Sequence, residues 1–131
     1  MQTYLLISLG GILGANARYY LSTVAAARWG MAFPYGTLLI NVTGSLAIGC
    51  FLGLVAARFG NSEGARLLLA TGFLGSYTTF STFAFETVAL ARARERRLAA
   101  ANALGSVALG VTAVAIGLLL ALALGRYSGG V

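Results

Sequence analysis

Long apolar stretches, separated only by short polar turns, leave this chain one solvent in which to fold. Runs at about 3–27, 36–57, 67–91 and 98–124 each reach the roughly 20 apolar residues that cross a bilayer. In a chain of 131 residues they take up nearly the whole length. Only 9% of the residues are charged against 59% hydrophobic, where a soluble domain carries about a quarter charged. The sequence therefore predicts an all-α membrane protein, a single four-span domain over 1–131 with no second folded domain and no tandem repeat. The first run lacks the basic start of a signal peptide and is expected to be a retained span. Trp29 and Tyr35, in the turn that follows it, suit the membrane interface.

The third run is the odd one. It contains Gly72-Phe-Leu-Gly75-Ser-Tyr-Thr78-Thr-Phe80-Ser-Thr-Phe83, two glycines followed by aromatic and hydroxyl side chains that a lipid-facing helix does not need. Gly75 and the β-branched pair Thr78-Thr79 favour a break in the helix near Gly75–Thr79. Non-helical backbone at membrane depth persists only where protein buries it or a wet cavity meets it. Freed carbonyls there suit a bare cation. Phe80 and Phe83 share a helix face that Glu86 continues, while Thr78, Ser81, Thr82 and Phe85 make an adjoining edge. The same residues also fit a plainer account, in which the hydroxyls bond back to their own helix and the Phe pair is packing.

What is missing narrows the function. The chain has no His, no Asp and no Lys, and Cys50 is its one cysteine. His-dependent and Lys-dependent nucleophilic catalysis and His-based metal sites are excluded within it. Two of the three acids, Glu63 and Glu95, fall in turns, so no carboxylate pair is expected in a span and the chain is not expected to be an enzyme. The net charge of +6 is all arginine. These arginines flank the spans, where they meet lipid headgroups. No basic stripe is interleaved with aromatics, so nucleic acid is not an expected partner.

Other polar residues stand inside apolar runs. Asn41 and Thr43 lie in the second, and Asn102, Ser106 and Thr112 in the fourth, with Asn102 and Ser106 one turn apart. An intramembrane Asn serves either as interhelical glue or as a donor to a ligand. Arg18 and Glu86 are the ionisable groups in or nearest the membrane, where such groups are functional by default, although Arg18 also has the reach to snorkel to an interface. Gly10-xxx-Gly14 and Gly49-xxx-Gly53 predict closely packed helices, and one four-helix chain has little interior to hide a pore, so a homo-oligomer is expected. Four spans put both termini on one side with Arg58, Arg66 and Arg126, against Arg28, Arg92, Arg94, Arg96 and Arg97 on the other. That bias is small: one preferred orientation and insertion both ways remain open. Neutral N–H and O–H donors beside positive Phe ring edges suit a small, strongly hydrated anion that must leave as easily as it enters.

Three blocks of sequence resemble the Fluc or CrcB family of small fluoride channels. They are Gly10-Gly-Ile-Leu-Gly14-Ala-Asn-Ala-Arg18-Tyr, Gly36-Thr-Leu-Leu-Ile-Asn41-Val-Thr-Gly44, and the Gly72–Phe83 run with Glu86. The resemblance implies an antiparallel, dual-topology homodimer, multi-pass in the inner (plasma) membrane, that passively exports fluoride through two pores. It implies that Asn41 is the pore amide, Phe80 and Phe83 the ring pair beside the fluoride path, and Ser81 and Thr82 its hydroxyl track. Gly75 and Thr78 match carbonyl donors to a structural Na⁺ at the dimer centre, a cofactor that is not transported. Arg18 and Glu86 match charged positions near the vestibules. The chain departs from the pattern where Ser76-Tyr77 replaces Gly-Gly, where Gly110 stands at a position often held by a pore-lining Ser (leaving Ser106 or Thr112 for that part), and where Asn102 stands in place of an aromatic.

Two other readings compete. A small dual-topology, proton-coupled multidrug exporter needs a carboxylate that exchanges protons with its substrate, and the first span offers Arg18 and no acid. A non-transporting subunit of a membrane assembly needs a different partner protein and carries no flux.

Overall fold

The computed structural model describes residues 1–55 and 62–127, and every described element is helical. Helix α1 (Gln2–Trp29) ends at Gly30, whose φ of 77° is left-handed and whose N–H returns to the Ala26 carbonyl at 2.9 Å. Only glycine takes that backbone at no steric cost. Pro34 then caps α2 (Tyr35–Leu54) at a position where its missing N–H would have no helical partner. In the turn between them Phe33 and Tyr35 rings lie 4.9 Å apart, with Trp29 beside them. The expected end of the second span at Ala57, and Arg58 after it, lie outside the described residues.

The third span is built in pieces. Ser62 accepts from the Ala65 N–H and starts α3 (Glu63–Ala65), with Glu63 at the positive end of the helix dipole. The chain then widens into a nine-residue π-helix, Arg66–Leu74, and tightens again as α4 (Gly75–Tyr77). Thr78 and Thr79 are extended, and α5 (Phe80–Arg92) follows. A turn with Arg94 at φ 64° leads into the 32-residue α6 (Arg96–Tyr127).

Pairing follows the glycines. The most extensive contact joins α2 to α6, and the next joins α1 to the π-helix. A Cβ at Gly49 would strike the Val114 carbonyl, one at Gly53 the Ala121 methyl, and one at Gly117 the Leu46 carbonyl. Likewise Gly10 and Gly14 lie against the backbone of Leu68, Gly72 and Phe73. The absent side chains bring backbones within contact, which is how helices associate where lipid leaves little hydrophobic drive. The buried apolar core is small, with Ile40, Leu74 and Tyr77 at its centre and Ala17, Ile48 and Phe73 around them. Large apolar side chains instead cover much of the outside, among them Leu104, Val111, Leu119 and Leu124. Helices Tyr35–Leu54 and Arg96–Gly125 are each long and apolar enough to cross a membrane.

Candidate functional site

The break in the third span is where the polar groups converge. Gly75 is regular helix, with φ −62° and ψ −32°. The chain leaves the helix three residues later, through Thr78 (φ −80°, ψ 157°) and Thr79 (φ −149°, ψ 117°). That is extended backbone, which β-branched residues favour, so the interruption rests on the threonines and needs no glycine. An unpaired peptide group in a dry interior costs about 1–3 kcal/mol. Asn41, reaching across from α2, meets both halves of that need. Its Oδ1 accepts from the Thr79 N–H at 2.9 Å and its Nδ2 donates to the Thr79 carbonyl at 3.0 Å. One amide therefore stands in for a strand partner, and one of its two N–H donors is committed to the backbone.

The same break releases carbonyls. In an unbroken helix the Thr79 N–H would go to Gly75 and the Thr82 N–H to Thr78. Here the first goes to Asn41, and the second goes to Thr79 Oγ1 at 3.2 Å, where Thr79 caps α5. The carbonyls of Gly75 and Thr78 thus lose their regular donors. Both residues line a cleft of about 410 Å³ together with Asn41, Ser45, Thr79 and Phe80.

Thr79 also lines a second cleft, about 370 Å³, with Arg18, Ser22, Thr37, Ser81 and Thr82. Its hydroxyl donates to Thr82 Oγ1 at 3.0 Å and lies 3.3 Å from Ser81 Oγ. Glu86, further along α5, accepts from Thr37 Oγ1 at 2.9 Å; its other oxygen is buried and meets no partner among the described residues. Along α2, Thr37, Asn41 and Gly44 form one stripe that meets Glu86, Thr79 and Thr78 in reverse order. The rings of Phe80 and Phe83 stand 5.7 Å apart and tilted by 48°, and Phe80 is 80% exposed in the single chain.

A model of the family described as CrcB-like protein, Camphor Resistance (CrcB), matches residues 5–118. The chain belongs to the CrcB family. Its relatives include a protein of Chloroflexus aurantiacus (strain ATCC 29366 / DSM 635 / J-10-fl), 45% identical over 99% of this chain and 100% of the relative. One from Roseiflexus sp. (strain RS-1) is 49% identical over 85% of this chain and 90% of the relative. Another, from Trichormus variabilis (strain ATCC 29413 / PCC 7937), is 48% identical over 94% and 90%. All three bear the name fluoride-specific ion channel FluC. With apolar helices of this length, a CrcB chain is a membrane protein.

In this CrcB protein the residues singled out in the sequence fall into three groups. Asn41, Gly75, Thr78 and Phe80 share the first cleft, and Arg18, Ser81 and Thr82 share the second. Glu86 sits on α5 in a third cleft of about 640 Å³, with Thr37, Thr82 and Phe85. Phe83 touches Phe80 but belongs to none of these linings. Ser106 stands apart on α6, hydrogen-bonded to Asn102. Sequence reasoning used Thr79 only as part of the break and gave it no site role, although it is the one residue common to the first two clefts. A Ser/Thr directly ahead of a helical run is the signature of an N-cap, and that signal was there in Thr79-Phe80-Ser81-Thr82. It likewise gave no role to Tyr77, buried, stacked on Phe73 and bonded through its hydroxyl to Thr43 at 2.8 Å.

Proposed function

We propose that this protein is a passive, fluoride-selective channel that exports fluoride across the inner membrane, multi-pass, as an antiparallel dual-topology homodimer. One observation carries the reading: proteins named as fluoride-specific channels align with this chain along essentially its whole length. The chemistry of the site supports it. A small anion leaves its water for neutral donors and positive ring edges, which hold it without trapping it. The second N–H of Asn41, the hydroxyls of Ser81, Thr82 and Ser106, and the edges of Phe80 and Phe83 supply these groups, Arg18 draws anions to the mouth, and Glu86 lies beside the same route.

Na⁺ fits the break. Gly75 and Thr78 are the residues that would hold it, through carbonyls that have lost their regular helical donors. One chain offers two such groups, and an antiparallel partner would offer two more, so the ion would join the two copies as a structural element. An exposed Phe80 fits a surface that a second copy covers.

The test is efflux from liposomes loaded with fluoride or with chloride and followed with ion-selective electrodes. Fast fluoride release with chloride retained is the expected result. Comparable release of both would remove selectivity from the proposal, and no release of either would remove the channel.

A further inference from the structure

The fourth helix holds an amide that neither pore-side cleft uses. Asn102 is 1% exposed and, with Ile40, is the largest side chain buried so completely. Its bonds run in one direction. Ser106 Oγ donates to Asn102 Oδ1 at 3.3 Å, Asn102 Nδ2 donates to Thr87 Oγ1 at 2.8 Å, and Thr87 Oγ1 donates to the Phe83 carbonyl at 2.7 Å. A hydroxyl has a single proton. Thr87, having given its proton to Phe83, can only accept from Asn102. This fixes which end of the amide faces α5: nitrogen toward Thr87, oxygen toward Ser106. The Ser106 proton is thereby drawn onto Asn102, by the longest bond of the three. An anion beside Ser106 makes a charge-assisted bond, which is stronger than one to a neutral amide oxygen, so the proton can leave Asn102 for the anion.

We propose that Asn102 is a positioning residue for anion passage. It holds the Ser106 hydroxyl in reserve and turns it over to the passing ion, while the relay through Thr87 ties α6 to the turn of α5 that carries Phe83. Asn102 itself does not touch the ion. This rests on the fluoride-channel reading.

Reconstituted wild-type protein, Asn102→Leu, Ser106→Ala and the double variant test it by fluoride efflux over a range of fluoride concentrations. Each single change is expected to lower flux about tenfold at low fluoride and to raise the half-saturating concentration, and the double variant to fall within about twofold of the worse single, as coupled groups do. Losses that multiply, or an Asn102→Leu protein that lowers only the maximal flux, overturn the relay. If Asn102→Leu gives no monodisperse protein, Thr87→Val takes its place: it keeps Asn102 but removes the hydroxyl that orients it, and unchanged flux there also overturns the relay. A conducting wild type with indifferent variants refutes this inference alone. A wild type that releases no fluoride refutes the channel reading and this inference together.

Discussion

Asn41 shows how one side chain can stand in for a strand at a break in a helix. It closes the N–H and the C=O of Thr79 with its two ends, and truncation opens both. Asn41→Ala is expected to cost roughly 1–3 kcal/mol per buried group left unpaired and to abolish most fluoride efflux; thermal melting in detergent and liposome efflux check the two effects separately. Thr79→Val keeps the shape but removes the α5 cap, at about 0.5–2 kcal/mol, and is expected to melt earlier in the same assay. Phe80→Ile is expected to lower efflux while the dimer persists in detergent, which liposome efflux and the elution volume of the purified protein check separately. The polar residue types around the break were legible in the sequence. Their assignments were not, because four hydroxyl residues within five positions look alike until the backbone angles decide which oxygen meets which N–H.

Among the elements, α2 packs on α6 along one side and on α1 along another, while the broken span lies mainly against α1 and meets α2 through Thr37, Asn41 and Gly44. In α2, Gly49 faces backbone, which cannot move aside as a flexible side chain can. Gly49→Val is therefore expected to destabilise by about 1–3 kcal/mol, in the range of core overpacking, and to reduce the yield of folded protein, while Gly105→Ala, whose Cβ would meet nothing within 4 Å, is expected to melt no earlier than the wild type. Gly-xxx-Gly pairs told the sequence reader that helices approach closely. They did not tell which helix comes, and Gly117, which completes the crossing, was legible only through the weaker small-xxx-small run Ala113-xxx-Gly117-xxx-Ala121. The break was legible as the region Gly75–Thr79, and within it Thr78 and Thr79 do the turning while Gly75 stays helical.

At the scale of the whole molecule, the large apolar side chains among the described residues lie mostly outside. Phe80 and Phe85 are 80% and 74% exposed, and the described core is a handful of residues. Such a surface fits lipid and a second copy better than water. Dual insertion predicts that a cysteine placed at Arg94, in a Cys50→Ser background, is labelled by a membrane-impermeant maleimide from both faces in similar amounts. Labelling from one face alone would leave the chain with a single orientation. Arginine counts in the sequence came close to balance and so could not decide this, since topology is set by differences in charge across the membrane.

The nine-residue π-helix ahead of the break makes the protein's tolerance of length changes lopsided. A residue gained or lost at the Ala93–Glu95 turn alters a connection at the surface, where loops absorb such edits. A residue lost between Arg66 and Leu74 would shorten the span and turn one flank relative to the other by a sizeable part of a turn, since each helical residue carries rotation as well as rise. Either Gly72 would leave its seat against Gly10, or Gly75 and Thr78 would face away from Asn41. That segment works as a ruler whose markings cannot be renumbered, so the history of this chain should record substitutions there far more readily than insertions or deletions.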